Sequence, residues 1–439
     1  MKVGVISLGC VKNRVDTEEM LSFLQNDGFE FVNEADKADI LVVNTCGFIA
    51  SAKEESIDAI LEMAEYKKNG PCKLLCVTGC LAQRYGDELL EQIPEIDVLT
   101  GVSQYPKLPE FIRDALKGQR TGTTQRGEDF TGCGRVLTTA PYTAYVRVSE
   151  GCDNRCAYCA IPLIRGGFRS RPEEDILKEM KELAARGARE QIIISQDTTR
   201  YGSDLVGASL PLLLDKAAQI EGIDWLRVLY CYPEQTDIAL IDAMAANPKF
   251  CRYLDLPLQH ASPRVLKKMR RRGDIEQIEQ VLLHARQLGF ALRTTMIVGF
   301  PGETEEDFER LLAFCERVRF DRLGAFAFSP EEDTPAYRMN NQVDEDIKQE
   351  RLDKLMAQQQ RISLELNQQR VGKRYQVLIT QVTGKTAQGR SAWEAPDSDG
   401  IIAFTHDGSL KEGDFVTVLI DQATAYDLSG QAVQGETEQ

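Results

Sequence analysis

Positive charge is what this 439-residue chain is short of: 52 Lys and Arg stand against 68 Asp and Glu, a formal net charge of −16. An acidic surface disfavours nucleic acid held by general electrostatics and favours a basic partner. Long apolar runs are missing too. No stretch of about 18 apolar residues occurs, so no membrane span is expected. The chain starts on the strand-like Lys2–Ser7 with no apolar signal region before it, and the expected location is the cytoplasm. Histidine is scarce, with three in all and none before His260. Cysteine is the exception. Twelve are present, most in Gly-flanked loops or apolar strands, which is unlike a small secreted disulfide framework and points to metal binding. A hydrophobic content of 43% is ordinary for a globular protein, and the length suits about three domains of ~150 residues.

Cys152, Cys156 and Cys159 share the stretch Glu150-Gly151-Cys152-Asp153-Asn154-Arg155-Cys156-Ala157-Tyr158-Cys159, at the spacing C-x3-C-x2-C. A loop this short lets three sulfurs grip a single inorganic centre. A structural zinc or a ferredoxin-type cluster takes four protein ligands, yet the next cysteine is only Cys231. Three thiolates on a cubane leave one iron open to a substrate. The competing reading, a zinc knuckle, lacks its fourth ligand. The spacing resembles that of the radical S-adenosylmethionine (SAM) superfamily. That resemblance implies a 4Fe–4S cluster whose free iron chelates the amino and carboxylate groups of SAM, and a 5′-deoxyadenosyl radical made by one-electron cleavage. It also implies that Tyr158 packs near the adenine.

Residues 1–116 read as alternating strands and helices, hence a parallel sheet in an α/β domain. Val3–Ser7, Ile40–Val43 and Leu74–Val77 are expected strands. Val15–Asn26, closed by Gly28, and Leu81–Gln92 are expected helices. Ser51-Ala52-Lys53-Glu54 reads as a capping box opening a helix that reaches about Lys68. Cys10, Cys46 and Cys80 come just after the three strand ends, 36 and 34 residues apart and each beside a glycine. Parallel topology brings such residues to one edge, where glycine lets the backbone approach a bulky centre. Three ordinary buried cysteines are the competing reading. Cys76 is expected inside its strand and Cys72 at the opposite edge, so the local triplet with Cys80 is set aside.

Residues 117–141, with five glycines and six threonines, read as a linker that includes Cys133. Tyr145–Val148 is then a strand delivering the C-x3-C-x2-C loop. Further strands are expected at Gln191–Ser195, Leu226–Tyr230, Tyr253–Leu258, Leu292–Val298 and Asp321–Phe328, with helices such as Glu173–Arg186 and Ile275–Leu288 between. Six βα units make a partial (βα)6 barrel, whose chemistry belongs to the loops at the strand C-termini. Those loops are Gln196–Gly202, Gln259-His260 and Gly299–Thr304. His260 invites an acid–base role, although a local hydrogen bond is the commoner one, and no residue is assigned as catalytic acid, base or nucleophile. Cys231, Cys251 and Cys315 read as core. Arg264–Arg272 carries six basic side chains, ordinarily a solvated helix face. After a polar helix over Asp344–Gln369, residues 371–439 read as a small β-barrel of the oligonucleotide-binding kind. Five Lys and Arg against ten Asp and Glu there suit a protein-facing module better than an RNA-binding one.

A cluster-binding N-terminal domain (1–116), a linker (117–141), a radical SAM core (142–370) and a terminal barrel (371–439) together resemble the methylthiotransferase family, whose barrel is the TRAM domain. Ser7–Asn13, Asn44–Phe48, Ile161–Gly166, Gln196–Gly202, Tyr253–His260 and Ser329–Glu332 resemble its RimO branch. Val11 and Asp333 stand where that branch commonly has proline and glycine. The resemblance implies methylthiolation of an aspartate β-carbon in small-subunit ribosomal protein twelve, a basic protein met free or on the ribosome. It further implies two 4Fe–4S clusters, one on Cys152, Cys156 and Cys159 and an auxiliary one on Cys10, Cys46 and Cys80, with SAM as methyl donor and radical source and an external electron donor. The alternatives are a tRNA adenosine methylthiotransferase with the same machinery, which the acidic barrel disfavours, and a non-catalytic iron–sulfur scaffold.

Overall fold

The structure is a computed structural model describing residues 1–127 and 134–434; Cys133 lies outside the described residues. Two compact units emerge. The first gathers Met1–Ala140, Tyr145–Glu179 and Ser329–Tyr337, and the second Pro141–Ala144, Met180–Phe328 and Arg338–Gln439.

In the first unit β1 (Lys2–Ser7), α1 (Val11–Asn26), β2 (Glu30–Phe31), β3 (Ile40–Thr45), α2 (Ala50–Asn69), β4 (Leu74–Gly79), α3 (Cys80–Gln92), β5 (Ile96–Thr100), α4 (Leu108–Ala115) and β6 (Thr121–Thr123) alternate along the chain. The sheet runs β2-β1-β3-β4-β5-β6 and every pairing is parallel. β3 and β4 are buried throughout because both faces are covered. Leu41, Val43, Leu75 and Val77 pack with Ile60 and Met63 of α2 and with Leu81 and Leu89 of α3. Ile40, Val42, Leu74 and Cys76 pack with Met20 and Leu24 of α1 and with Leu108 and Ile112 of α4. Cys72, ahead of β4, joins the first of these cores, and Cys76 the second, each as a small hydrophobe.

Gly28 ends α1 as expected. At φ +86 it donates to Gln25 O (3.0 Å), while Phe29 donates to Leu24 O (3.1 Å), the Schellman pattern. Three local expectations need correction. α1 begins at Val11, directly after Cys10, because polar Lys12 and Asn13 are buried and hid the helical stripe. The capping box at Ser51 does not form: α2 starts at Ala50 with extended Ile49 as N-cap and no side-chain cap, so Ser51 already lies inside the helix. The linker is not wholly a linker, since Thr121–Thr123 is the edge strand β6. A Thr-Gly-Thr strand carries no apolar pattern. Gly122 is required there, as a Cβ would sit 1.9 Å from Leu99 O.

β7 (Thr143–Arg147) starts in the second unit and enters the first. It is followed by β8 (Ser149–Glu150), α5 (Ile161–Arg165), β9 (Arg169–Ser170) and α6 (Glu173–Ala185). The second unit continues with β10 (Glu190–Ile194), α7 (Leu210–Ala218), β11 (Trp225–Val228), α8 (Ile238–Ala246), β12 (Tyr253–Asp255), α9 (Pro263–Lys268), α10 (Ile275–Gln287), β13 (Ala291–Val298), α11 (Glu305–Val318) and β14 (Arg322–Ala327). The expected six strands are present as two three-stranded sheets, β11-β10-β7 and β12-β13-β14, joined at the isolated bridge Leu226–Phe250. β12 ends three residues short of the expected Leu258; Pro257 just beyond it has no N–H for the ladder. Cys231, Cys251 and Cys315 are buried. α12 (Glu345–Gln368) leads to β15 (Arg374–Thr383), β16 (Thr386–Arg390), β17 (Ile402–Thr405), β18 (Phe415–Ala423) and β19 (Leu428–Ala432), a closed barrel around Val377, Ile379, Ile402, Phe404, Val418 and Ile420.

Two buried glutamates tie this unit together. Glu190 binds Arg227 (3.1 Å) and Arg390 (2.6 Å); Glu394 binds Arg370 (2.5 Å) and Arg322 (3.2 Å). Burial alone would raise both carboxyls, but the paired guanidinium groups outweigh it and hold each at about 2. Both values lie below the ordinary glutamate value of about 4.3, so each pair contributes stability that is present above that pH and lost as pH falls towards 2. The destabilisation caused by Glu394→Gln in urea unfolding is therefore expected to shrink between about pH 5 and about pH 2. A difference that stays constant over that interval would contradict the assignment.

Candidate metal centre

Because β1, β3 and β4 are adjacent and parallel, their C-terminal ends share one sheet edge. Each end carries a cysteine: Cys10 as the N-cap of α1, Cys46 one residue past β3, and Cys80 as the first residue of α3. Cys10 is exposed, whereas Cys46 and Cys80 are buried. Their glycine neighbours are there for space. A Cβ on Gly9 (φ +86) would meet Cys46 Sγ at 2.9 Å, and one on Gly47 would meet the Leu81 backbone nitrogen at 2.9 Å. On Gly79 (φ +97) it would lie 2.5 Å from Thr45 O. Asn13 joins the first two loops, its amide donating to Leu8 O (3.0 Å) and Thr45 O (2.9 Å). Ser56 Oγ clamps Cys46, accepting from its N–H and donating to its carbonyl, both at 2.9 Å. Burial pushes the Cys46 thiol up and that of Cys80 up to about 12; the charge of Cys10 raises both, and Arg165 lowers both. Cys10 thus lies within electrostatic reach of both other thiols.

Cys152, Cys156 and Cys159 ride on a loop whose base is the two-residue antiparallel ribbon β8–β9, with Ser149 opposite Ser170 and Glu150 opposite Arg169. The Cys152 N–H donates to Gly166 O (3.0 Å), and the Cys159 N–H to Cys156 O (3.1 Å). Gly151 (φ +74) has no room for a side chain, since a Cβ would lie 2.1 Å from Gly167 O. The Ala336 N–H reaches Ala157 O (2.8 Å), pinning the loop from the returning segment Ser329–Tyr337. Glu331 of that segment binds Lys53 (2.9 Å) and Arg84 (3.1 Å). Cys156 is buried; Cys152, Tyr158 and Cys159 are half-buried.

An ion network buried at Asp16, Arg147, Glu150 and Arg165, and part-exposed only at Glu19, joins α1 to the segments flanking the C-x3-C-x2-C loop. Arg165 Nη2 donates to Asp16 (2.6 Å) and Asn13 Oδ1 (2.7 Å) and stands 3.5 Å from Cys80 Sγ, while Nη1 reaches both oxygens of Glu150 (3.3 Å). Arg147 binds Asp16 (2.5 Å), Glu150 (2.9 Å) and Glu19 (2.7 Å). Burial would raise the Asp16 carboxyl, but Arg165 and then Arg147 bring it below the usual range.

Among the described residues no three His, Cys, Asp or Glu side chains converge as they would on a single metal ion. A cluster of four irons asks for a wider triangle than one ion. The chemistry of the donors suits such a cluster, with three thiols at one sheet edge, three on one loop, and a guanidinium beside one sulfur.

In the second unit, the loops at the strand ends are organised by buried polar groups. His260 is wholly buried; its Nδ1 accepts from the Ser262 N–H (2.9 Å) and its Nε2 faces Glu303 (3.3 Å). Glu303 also accepts from the Gly299 N–H (2.9 Å) and binds Arg351 (2.9 Å). This geometry is that of a local hydrogen-bond post. The basic run is only partly solvated, for Arg264 pairs with Asp307 and Arg271 lies 4.0 Å over the Tyr232 ring while donating to Pro257 O (2.7 Å).

Residues 2–101 match the uncharacterized protein family UPF0004, 146–315 the radical SAM superfamily and 371–433 the TRAM domain. The ribosomal protein uS12 methylthiotransferase RimO of Desulforamulus reducens is 50% identical, over 98% of this chain and 99% of its own. That of Clostridium botulinum is 48% identical over 98% and 97%. The chain belongs to the RimO family. Its fold is also that of the radical SAM methyltransferase TsrM from Kitasatospora setae, a structure with cobalamin and a [4Fe-4S] cluster bound, at a TM-score of 0.55, 15% identity, and coverage of 88% of this chain and 80% of that one. Among the described residues no helix is long and apolar enough to cross a membrane.

Sequence reasoning passed over Asn13, Asp16, Glu150 and Arg165 in this RimO-family chain. Asn13 and Arg165 fall inside two of the RimO-like motifs, but a polar residue in a helix gives no sign of which distant loop it will meet. Gly79→Ala, which meets both a left-handed backbone and the Thr45 carbonyl, is expected to destabilise the first unit by at least ~1–2 kcal/mol and to lower the iron bound on anaerobic reconstitution. Gly118→Ala, at φ +87 with nothing within 4 Å, is expected to keep its iron. Equal iron in the two variants would count against a cluster at this edge.

Proposed function

We propose that the chain is a radical SAM methylthiotransferase that places a methylthio group on the β-carbon of an aspartate in ribosomal protein uS12. The observation that carries this reading is identity near 50% to RimO enzymes along essentially the whole chain. Membership of the family implies SAM and an iron–sulfur cluster. We assign one 4Fe–4S cluster to Cys152, Cys156 and Cys159 and an auxiliary one to Cys10, Cys46 and Cys80, with Tyr158 beside the adenine of SAM. The domain division follows as 1–116, 117–141, 142–370 and 371–439, with an external electron donor and a cytoplasmic location.

When bound, these groups supply one-electron cleavage chemistry and a sulfur-carrying iron, which no side chain can. The protein's own work is ligation and positioning. Six thiolates hold the two centres, and loading them releases protons that burial would otherwise keep on Cys46 and Cys80. The β8–β9 ribbon and the Ala336–Ala157 hydrogen bond fix the loop that carries one centre. Asn13 and Ser56 fix the loops that carry the other. A rigid site of this kind spends its binding interactions on orientation before any reaction.

Substrate choice is read from charge as well as kinship. The net charge of −16 favours a Lys- and Arg-rich ribosomal protein and repels polyphosphate within a Debye length of roughly 8 Å. The basic run Arg264–Arg272, the stretch best able to touch phosphate, has Arg264 and Arg271 engaged in internal contacts.

Two measurements test the proposal. Anaerobic reconstitution is expected to load about eight irons, and the Cys152→Ala, Cys156→Ala, Cys159→Ala triple variant to keep about half and lose all SAM cleavage. Full iron in that variant, or iron loss on changing Cys72 or Cys76 alone, would refute the assignment. Mass spectrometry of ribosomal proteins and digested tRNA, from cells with and without the gene, is expected to place the lost methylthio group on uS12. Loss from tRNA with uS12 unchanged would hand the reading to the tRNA alternative.

A further inference from the structure

We infer that Arg165 is a positioning residue for the auxiliary cluster, holding its buried guanidinium against the sulfur of Cys80 and thereby favouring the cluster's reduced form. The inference rests on the two-cluster reading above. It starts from geometry: Nη2 stands 3.5 Å from Cys80 Sγ and is held there by Asp16 at 2.6 Å and Asn13 at 2.7 Å. The two N–H groups of Nη2 go to these acceptors on α1, so the sulfur at 3.5 Å, which also lies 3.5 Å from Asn13 Oδ1, meets the guanidinium as a fixed neighbouring cation sharing one of those protons. The side chain is almost wholly buried, so water does not screen it.

A ligating thiolate carries more negative charge than a thiol and is the better acceptor. Reduction adds one electron to the cluster and spreads part of that charge onto its sulfurs. A buried cation held against one of those sulfurs stabilises the reduced state more than the oxidised one, which moves the potential upward. A staple between α1 and α5 would need only the carboxylates; the approach to sulfur is the additional feature. The same turn also touches the other cysteine set, because Gly166 O accepts from the Cys152 N–H at 3.0 Å. Arg165 thus stands where the local environments of both cysteine sets meet.

The test uses the full chain carrying Cys152→Ala, Cys156→Ala and Cys159→Ala, reconstituted anaerobically with iron and sulfide so that only the auxiliary cluster remains. Iron is counted, and the reduced fraction is followed by electron paramagnetic resonance while a dithionite-poised mediator mixture steps the potential. Each cluster takes one electron from the mediator, and no bond is made or broken. In this background Arg165→Gln combined with Asp16→Asn, which removes the carboxylate closest to the absent cation while Glu150 keeps Arg147 at 2.9 Å, is expected to retain iron. It is expected to be at least tenfold less reduced at a fixed potential, a lowering of about 59 mV for a one-electron couple. Arg165→Lys keeps the charge without the planar fork; it is expected to shift the same way by less, and it carries the test if the double variant does not fold. Iron retained at an unchanged potential overturns the inference and leaves the two-cluster reading standing. Iron lost in proportion to Arg165 replacement, with an unchanged potential in what remains, reduces Arg165 to a structural staple and overturns it as well. Absence of iron in the cysteine background itself overturns the reading and the inference together.

Discussion

The pairing of Asp16 with Arg165 and Arg147 is the interaction on which the first unit depends. All three groups are out of water, and each isolated ion would cost several kcal/mol to bury. Together they compensate one another's charge, with Glu150 pairing to both guanidinium groups and Glu19 to that of Arg147. Such a set offers one low-energy arrangement, since a displacement of any member leaves a charge unmatched in low dielectric. Asp16 lies on α1, whose N-cap is Cys10, while Arg147, Glu150 and Arg165 flank the C-x3-C-x2-C loop. Segments far apart in the chain are therefore locked at a fixed spacing by electrostatics, where an apolar contact of the same area would tolerate sliding.

The large features of the fold were legible because they rest on burial. Ile40–Val43 and Leu74–Val77 read as strands covered on both faces, and two helix layers cover them. Gly28 was legible because a left-handed C′ residue has one cheap solution. What escaped was set by tertiary context rather than by pattern. Ser51 has the right neighbours for a cap, yet the chain turns into the helix one residue earlier, from extended Ile49 to Ala50. Thr121–Thr123 is too short and too polar to announce a strand, and its place is granted by the edge of a sheet already formed. β8 and β9 are two residues each, below the reach of any periodicity.

The candidate site divides the same way. Cysteine spacing and strand ends pointed to six thiols because sulfur is a chemically marked atom and parallel strands share a direction. The residues that tune the site carry no such mark. Arg165 in Ile161-Pro162-Leu163-Ile164-Arg165-Gly166 looks like any basic residue ending a helix, where the dipole would welcome it. Its partners on α1 are about 150 positions away, and only the folded chain brings them together. His260 shows the same limit: a histidine at a strand end could be read either way from sequence, and only the fold shows Nδ1 accepting from the Ser262 amide with Nε2 3.3 Å from Glu303.

The segment Ser329–Tyr337 returns to the first unit after the chain has built most of the second, and it lays Glu331 against Lys53 and Arg84 and Ala336 against Ala157. Spatial order and synthetic order therefore disagree. Once Cys80 has been made, ~250 further residues must be added before the last piece of its unit exists, about 13 to 50 s at the usual elongation speed. During that interval Cys10, Cys46 and Cys80, joined later by Cys152, Cys156 and Cys159, belong to a unit that lacks its final clamp. A thiol reagent that reaches the nascent chain in that interval meets these sulfurs before the segment Ser329–Tyr337 can close over them.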